Sequence, residues 1–361
     1  MIKRIGVLTG GGDCPGLNAV LRAVVKTAMG KYGWEVIGFK DGYRGLVMND
    51  YIKLTSMDVS GILDKGGTIL GSSNRDNPFN FRLERNGNVE YKDMSERVMD
   101  NVSMHQIDCM VLIGGDGTLT SARDFARKGM NVVGVPKTID NDLSATDTTF
   151  GFMTAVETAT EAIDKLHSTA EAHHRVMILE VMGRYAGWIA LQSGIAGGAD
   201  VILLPEIPYD INSVADKIAE RKQQGKHFSL IVVAEGAKPK DGDVVVSKIV
   251  ENSPDPVRLG GIGNRIADEI EKITGNETRV TVLGHLQRGG RPCPYDRVLS
   301  TRYGVAAVEL VNEGKFGKMV SLQGNSIIDV SLEDAVGKLK TVDPNGELIR
   351  IARSVGVGFG D

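Results

Sequence analysis

Short runs of apolar, mostly β-branched residues alternate with segments of helical periodicity along almost the whole chain. Continuous apolar runs without polar alternation are typical of parallel strands that are buried on both faces. Strands that alternate with helices predict an α/β fold with helices on both faces of largely parallel sheets. The predicted strands form two series, at residues 5–9, 36–39, 109–113 and 132–135, and at residues 176–181, 201–204, 230–233 and 280–283.

Apolar side chains at helical spacing predict helix faces that pack against these sheets. Two such faces lie in residues 17–28 and 152–166, and the polar stretch 138–149 before the second one predicts a boundary between two α/β lobes that face a cleft. Residues 236–260, rich in Lys, Asp, Gly and Pro, predict a long surface excursion with residues 244–246 as an edge strand. Two later faces are Ile262, Ile266, Ile270 and Ile273, and Val298, Leu299, Ala306, Leu310 and Val311.

Charge and cysteine content exclude several classes of partner. The 42 basic and 46 acidic residues give a net charge of −4, so no excess of positive charge favours a nucleic acid or an anionic membrane. No apolar run approaches the ~20 residues that span a bilayer, and no secretory signal is evident. The three cysteines are far apart and form no CxxC pair, which disfavours a disulfide framework or a zinc site and favours a cytoplasmic protein.

Two glycine clusters, at residues 10–16 and 114–118, directly follow predicted strands and precede predicted helices. Glycine lets backbone N–H groups approach a phosphate, and a helix N-terminus adds partial positive charge. The first cluster matches neither GxGxxG nor GxxxxGK[ST], which disfavours an NAD enzyme and a P-loop NTPase, and a plain glycine turn is the structural alternative. In the second cluster, Asp116 is suited to bind Mg²⁺ beside a polyphosphate, or else is a helix cap.

Polar and basic side chains follow other strands. Residues 136–142 (PKTIDND) bring Asp140 and Asp142 to a strand end, where one carboxylate can act as a base toward a hydroxyl; solvated surface carboxylates are the alternative. Guanidinium groups match phosphate in two-point fashion. Each basic group taken alone is a surface charge, but together they indicate an anionic second substrate: Arg175, Arg184, Arg279, His285 and Arg288.

Five segments in register resemble the 6-phosphofructokinase family over about residues 1–322. They are GGDCPGLN (11–18), GGDGT (114–118), KTIDND (137–142), EVMGRYAG (180–187) and LGHLQRGG (283–290). The resemblance implies phosphoryl transfer from ATP, with Mg²⁺, to the 1-hydroxyl of fructose 6-phosphate. It also implies two doubly wound lobes: a nucleotide-binding lobe of residues 1–150 plus about 287–337, and a sugar-phosphate-binding lobe of 151–286 plus about 338–361.

The resemblance also implies a role for each matching residue. Asp140 is the expected base, Asp116 the Mg²⁺-binding residue, and Arg184, with Thr138, a further catalytic group. The residues expected at the nucleotide are Gly11, Gly12, Arg75, Gly115, Gly117 and Thr118. Those expected at the sugar phosphate are Thr138, Asp140, Asp142, Met182, Gly183, Arg184, Glu235, His285 and Arg288. Arg175 and Arg279 resemble arginines that reach this phosphate from a neighbouring subunit, which implies a homo-oligomer, dimer or tetramer, with a shared site.

The phosphoryl donor depends on two positions. Pyrophosphate-using relatives carry aspartate at the position of Gly117 and lysine at that of Lys137, whereas common ATP enzymes have glycine at both. A carboxylate at 117 would take the place of the nucleotide's α-phosphate and repel ATP, and Gly117 removes that block. Lys137, expected to be a flexible cation, attracts either donor. The pair favours ATP, with pyrophosphate as the alternative.

Two rival functions are disfavoured. A non-catalytic sugar-phosphate sensor would be free to lose Asp116, Asp140 and Arg184, which are all present. A diacylglycerol or NAD kinase shares GGDGT but not the other segments. Neither rival accounts for the full set.

Overall fold

A computed structural model describes residues 2–85, 88–249 and 257–361. The chain divides into two units, each assembled from three segments. The first unit comprises Met1–Ile139, Leu143–Met153 and Arg288–Lys338. The second comprises Asp140–Asp142, Thr154–Gln287 and Leu339–Asp361.

The secondary structure alternates strands and helices through most of the chain. The strands are β1 Arg4–Thr9, β2 Glu35–Phe39, β3 Tyr51–Leu54, β4 Phe81–Arg85, β5 Asn88–Lys92, β6 Cys109–Gly114, β7 Val132–Thr138, β8 Phe150–Gly151, β9 Val176–Val181, β10 Val201–Leu203, β11 Ser229–Ala234, β12 Val246–Ile249, β13 Val257–Leu259, β14 Thr278–Val282, β15 Lys318–Gln323 and β16 Ser326–Ser331. The helices are α1 Leu17–Tyr32, α2 Tyr43–Met48, α3 Ser95–Met104, α4 Asp116–Arg127, α5 Phe152–His173, α6 Trp188–Ala196, α7 Ile211–Gln223, α8 Ile262–Thr274, α9 Pro294–Asn312, α10 Leu332–Ala335 and α11 Glu347–Ser354, with a 3₁₀ turn at Gly284–Gln287.

The main sheet of the first unit has the order β16-β15-β7-β6-β1-β2-β3, with β8 beside β7. Its central strands are parallel and include the four strands predicted for the first series, whereas β3 and β16 are antiparallel additions at the two edges. In this order β1 has β2 as its neighbour on one side and β6 as its neighbour on the other, so the chain connections run in opposite directions from β1. The carboxyl ends of β1 and β6 therefore flank the crevice where open α/β sheets bind ligands.

Two kinds of packing support this sheet. On one face a core cluster joins strand residues such as Leu8 and Leu112 to apolar side chains of α2, α3 and α4, among them Leu46, Val98 and Phe125. Helices α1 and α9 pack against each other at Gly304, where a Cβ atom would lie only 2.8 Å from the carbonyl oxygen of Val20. The glycine thus permits close helix contact.

The second unit contains a parallel sheet with the order β10-β11-β9-β14. Strands β9 and β11 are buried throughout, as continuous apolar runs predict. The expectation that β14 is equally buried is wrong, because β14 is an edge strand and Val282 is 51% exposed. A core cluster joins this sheet to α7 and α8 through residues including Val214, Ile218 and Ile266.

Three local predictions need correction. Val298 is 60% exposed, because the buried face of α9 runs through Leu299, Tyr303 and Ala307, one residue away from it. Ile273 is 48% exposed in the last turn of α8, just before the helix ends at Gly275. Of residues 244–246, only Val246 belongs to a strand, β12, which pairs with β13; residues 250–256 of the predicted excursion lie outside the described residues.

Among the described residues, none of the helices combines the length and apolar character that crossing a membrane requires.

Candidate active site

The glycine loop after β1 is held in place by backbone contacts. Gly10 N–H donates to the carbonyl of Ile113 at 2.8 Å, and Gly11 N–H donates to the carbonyl of Ser73 at 2.9 Å. Gly11 has φ +81°, and a Cβ at Gly10 would lie 2.6 Å from Thr118 Oγ1. Only glycine satisfies both the left-handed backbone and the close approach of Thr118. The loop is thus packed directly against the second glycine cluster.

Lys137 supports the same loop by a hydrogen bond to its backbone. Its side chain is only 3% exposed in the fully buried strand β7, and its ammonium group donates to the carbonyl of Gly12. The expectation of a flexible cation is therefore wrong. A buried ammonium that is hydrogen-bonded to the backbone has lost most of its rotamer freedom.

The second glycine cluster begins helix α4, whose N-cap is Gly115 and whose first turn contains Asp116. Asp116 Oδ1 accepts a hydrogen bond from Gly337 N–H at 3.4 Å. Gly117 is exposed, and outside its own helix no heavy atom of the described residues lies within 4 Å of where its Cβ would be. A larger side chain at Gly117 therefore projects into open space at a helix N-terminus, where an anion would otherwise bind.

The donor set around Asp116 is compatible with Mg²⁺. Mg²⁺ keeps several water ligands and is commonly bound by one or two carboxylates together with substrate phosphates. Asp116 supplies one such carboxylate beside the glycine loops. The described part of the chain contains no group of three or more His, Cys, Asp or Glu residues arranged to hold a metal.

A cavity of about 250 Å³ lies beside the glycine loop. Arg75, predicted at the nucleotide, lines this cavity, and Ser73, which also lines it, hydrogen-bonds to Asp76 at 2.5 Å. Two further arginines that line the cavity, Arg44 and Arg82, were not predicted from the sequence. Arg44 lies in α2 and Arg82 in β4, so only the tertiary fold brings them to the loop. The cavity is lined by Asp41, Arg44, Ser72, Ser73, Arg75, Asp76 and Arg82.

Cys14 lies within the first glycine cluster, but its thiol is unreactive. It is fully buried, and burial raises the pKa of its thiol to about 12. A neutral, inaccessible thiol is neither a nucleophile nor a metal ligand. All three cysteines of the chain are buried free thiols.

The segment after β7 carries the predicted base. The carbonyl of Thr138 accepts a hydrogen bond from Thr149 Oγ1 at 2.7 Å. Asp140 and Asp142 are half-buried, and between them Asn141 is buried with φ +51°. Asn is among the few non-glycine residues that adopt this left-handed conformation readily. The turn places a carboxylate on each side of a fixed residue.

In the second unit, three neighbouring parallel strands bring predicted residues to one sheet edge. Met182, Gly183 and Arg184 follow β9, Glu235 follows β11, and His285 follows β14. The segments are joined there, since Gly236 N–H donates to the carbonyl of Gly183 at 3.1 Å. The structure therefore brings these predicted residues to one end of the sheet.

A buried glutamine completes this edge and was missed in the sequence. Gln287 has no exposed surface, and its Oε1 accepts a hydrogen bond from Met182 N–H at 3.3 Å. Its Nε2 donates to the carbonyl of Gly284 at 3.2 Å. Gln287 lies inside the LGHLQRGG segment. The signal that the sequence offered for this residue was a polar side chain within a segment that folds as a turn.

Arg175 and Arg279 lie at the opposite end of the same sheet. Arg175 directly precedes β9, and Arg279 pairs in register with Met177 near the start of that strand. Because strands rise about 3.3 Å per residue, Arg175 is roughly 20 Å and Arg279 roughly 13 Å from the carboxyl end of β9. Both contact Glu277, at 2.9 Å for Arg175, and the hydrogen bond from Arg175 lowers the pKa of this carboxyl. The structure does not bring either arginine to the carboxyl edge of its own chain.

Arg288 is placed with the first unit rather than with His285. Its Nη1 donates to the carbonyl of Asp13 at 3.2 Å and lies 2.9 Å from where a Cβ at Gly12 would be. Its predicted contact with the sugar 6-phosphate stays a prediction.

Glycine loops and an acidic helix N-terminus at the switch point of a doubly wound sheet define a phosphate-binding α/β protein. A family model described as phosphofructokinase matches residues 4–311. The chain belongs to the phosphofructokinase family.

Two relatives at high identity carry different donor names. The chain is 64% identical to "ATP-dependent 6-phosphofructokinase 2" of Clostridium perfringens, over 100% of this chain and 99% of that protein. It is 51% identical to "Pyrophosphate--fructose 6-phosphate 1-phosphotransferase" of Streptomyces coelicolor, over 99% of this chain and 100% of that protein. Overall similarity therefore spans both donor types.

Solved structures share the fold. The crystal structure of Pichia pastoris phosphofructokinase in the T-state is similar with a TM-score of 0.79 and 33% identity, over 93% of this chain. The chain spans 35% of the length of that larger chain. A pyrophosphate-dependent phosphofructokinase from Nitrosospira multiformis, at 24% identity and a TM-score of 0.80, covers 99% of this chain and 89% of its own and supports the fold alone.

Proposed function

We propose that the protein transfers the γ-phosphoryl group of ATP to the 1-hydroxyl of fructose 6-phosphate, giving fructose 1,6-bisphosphate and ADP. The observation that carries the choice of donor is Gly117, which leaves open space at the N-terminus of α4 beside Asp116. A nucleotide's α-phosphate can occupy that space without meeting a like charge. Family membership supports the reaction, and Gly117 decides between the two donors that relatives use.

The protein's own residues supply positioning, charge and a base. We assign Asp140 as the group that accepts the proton of the sugar's 1-hydroxyl. The hydroxyl oxygen attacks the γ-phosphorus of ATP while the bond between the γ-phosphorus and the oxygen bridging to the β-phosphate breaks. Arg184, at the carboxyl end of β9, stabilises the charge on the transferring group. Mg²⁺, held by Asp116 and the donor phosphates, neutralises phosphate charge when it is bound.

The loop contacts support roles for the remaining groups at the donor. Gly12, Gly115 and Thr118 offer backbone N–H groups to the phosphates, Gly11 allows close approach while its N–H holds Ser73, and Lys137 holds the loop through Gly12. Arg75, Arg44 and Arg82 line the neighbouring cavity and suit the nucleotide's anionic part. The first unit is thus the proposed nucleotide-binding lobe.

The second unit is the proposed sugar-phosphate-binding lobe. Met182, Gly183 and Glu235 contact the sugar hydroxyls, and His285 binds the 6-phosphate. Arg288, which belongs to the first unit, is also proposed to bind the 6-phosphate. Arg175 and Arg279 complete this site in a neighbouring subunit, which accords with their position far from the carboxyl edge of their own sheet. The proposed assembly is therefore a homo-oligomer, dimer or tetramer, of a cytoplasmic enzyme.

The alternative donor, pyrophosphate, is favoured by Lys137 and by the Streptomyces relative's name. Initial rates of fructose 1,6-bisphosphate formation, measured with each donor at equal fructose 6-phosphate, separate the two. We expect a higher kcat/KM for ATP. A higher value for pyrophosphate reverses the choice of donor, and binding of fructose 6-phosphate without turnover by either donor leaves a sensor instead of an enzyme.

A further inference from the structure

The segment Leu339–Val342 contacts the turn formed by Asp140–Asp142 in the second unit. This segment lies beyond the family model, which ends at residue 311. It belongs to the same unit as Asp140–Asp142 and α6, so its contacts are formed within one compact body. Lys340 makes the central contacts.

Lys340 uses both its side chain and its backbone. Its Nζ donates to Asn141 Oδ1 at 2.9 Å, and its backbone N–H donates to the carbonyl of Asp142 at 2.8 Å. Its own carbonyl accepts a hydrogen bond from Trp188 Nε1 at 2.8 Å, and its ammonium lies 5.8 Å from the centre of the Trp188 ring. One residue therefore joins the turn after β7 to the first residue of α6.

The turn that Lys340 holds is one that needs support. Asn141 is 4% exposed and adopts φ +51°, a left-handed conformation that asparagine tolerates better than most residues but less well than glycine. Its neighbours on either side are Asp140, the proposed base, and Asp142. A charge-assisted hydrogen bond to the Asn141 amide is strong enough to offset this backbone cost.

The other end of the contact bears on Arg184. Trp188 starts α6 four residues after Arg184, and Gly187, the N-cap of α6, donates its N–H to Glu206 Oε1 at 3.0 Å. The same oxygen accepts the N–H of Val342 at 2.8 Å. The segment thus binds the start of α6 at two points, through Trp188 and through Glu206.

We propose that Lys340 is a positioning residue for phosphoryl transfer, which holds the Asp140–Asp142 turn and the start of α6 in one arrangement through Asn141 and Trp188. The proposal rests on the proposed role of Asp140 as the base. Because the base must meet the attacking hydroxyl within hydrogen-bond reach, a displacement of about 1 Å at the turn can cost ~100-fold in rate.

Lys340→Met tests the proposal, with Lys338→Met, an exposed lysine two residues away, as the matched control. We expect Lys340→Met to lower kcat ~10- to 100-fold while the KM for fructose 6-phosphate changes much less. Lys340→Arg, which can still donate to Asn141 Oδ1, should recover most of the lost kcat. The control should behave as the wild type in kcat, KM and melting temperature.

Asn141→Gly tests the same contact from the other side, because it keeps the left-handed backbone and removes the amide acceptor. It should lower kcat in the same direction as Lys340→Met. If wild-type enzyme is active and either variant keeps wild-type kcat, the positioning role is overturned. If Lys340→Met does not fold, Asn141→Gly decides alone. An inactive wild type would instead refute the proposed function, so the two failures are distinguishable.

Discussion

The carboxyl ends of the two sheets are built from different materials. In the first unit the site consists of glycines and backbone groups, with Gly10 packed against Thr118 and Gly117 facing open space. In the second unit it consists of side chains, with Arg184, Glu235 and His285 following three adjacent strands. Under the proposed function, the glycine loops bind phosphate, a group that many ligands share, whereas the convergent side chains bind one sugar phosphate.

This difference predicts how each side can be changed. On the glycine side, specificity comes from an absent side chain, so adding one should exclude a ligand. On the side-chain side, specificity and catalysis come from groups that are present, so removing one should weaken binding or turnover. The variants below test that division.

The largest effect is expected at the proposed base. Asp140→Asn removes the proton acceptor but keeps the size of the side chain, so kcat should fall ~10²- to 10⁴-fold while fructose 6-phosphate still binds. Steady-state rates with ATP and calorimetric binding of the sugar phosphate measure the two quantities. A variant that keeps most of its turnover refutes the assignment. A lowered melting temperature together with lost binding would instead indicate a structural carboxylate.

The next effect concerns the donor. Gly117→Asp adds a carboxylate where no described side chain lies nearby, and acidic groups are favourable in the first turn of a helix, so the fold should be retained. Repulsion of the nucleotide should lower kcat/KM for ATP ~100-fold and leave pyrophosphate use much less affected. Gly117→Asn, equal in size and uncharged, separates charge from bulk. Equal loss with both donors would contradict the mechanism.

A smaller effect is expected at the proposed subunit contact. Arg279→Ala should raise the KM for fructose 6-phosphate ~10-fold, about the value of one charge-assisted hydrogen bond, with little change in the KM for ATP. Lys272→Ala, an exposed lysine on α8, is the control. Sedimentation should show an oligomer for the wild type. A fully active wild-type monomer would rule out the shared site.

The smallest effect concerns the dependence of stability on pH through Glu206, a half-buried carboxyl of the second unit. Burial raises the pKa of Glu206, although hydrogen bonds from Val342 and Gly187 partly oppose the rise. The folded protein therefore holds this proton more tightly than the unfolded chain. Its contribution to stability is complete below the unfolded pKa of about 4.3 and is lost as the pH rises through the folded-state value.

Glu206→Gln removes this dependence. The melting temperature of the wild type minus that of the variant should be more positive at pH 4.5 than at pH 8, because the folded state holds the proton more tightly. Thermal melts of both proteins in matched buffers measure the difference. A difference that stays constant or grows with pH would contradict the raised pKa.

The sequence predicts the strands, helices and turns that depend on a local pattern of apolar residues and glycines. The eight strands of the two predicted series are confirmed, because continuous apolar runs are typical of strands in a parallel sheet, although β14 is an exposed edge strand and the edge strand predicted at 244–246 is wrong except at Val246. The two glycine clusters also lie where predicted, since a strand, a glycine turn and a helix start form one local unit. The antiparallel edge strands β3 and β16 were not predicted, because their residues carry mixed polar patterns at the rim of the sheet.

What the sequence does not reveal depends on contacts between distant segments. Arg44 and Arg82 join the glycine-loop cavity only because α2 and β4 fold beside Ser73. Lys340 contacts Asn141 across a sequence separation of 199 residues. Lys137 follows the predicted strand 132–135, and its confinement arises because β7 continues through Thr138 and because the acceptor, Gly12, lies far away in the chain. Such pairings leave no periodic signal.

The segmental make-up of the units has a consequence for biosynthesis. Strand β15 pairs with β7, yet it leaves the ribosome about 180 residues later. At ~5–20 residues per second, the unprotected edge of β7 waits on the order of ten to forty seconds for its neighbour. During that interval an apolar strand edge is available to other nascent chains. The sheet of the first unit is therefore completed only after residues 154–287 of the second unit have been synthesised.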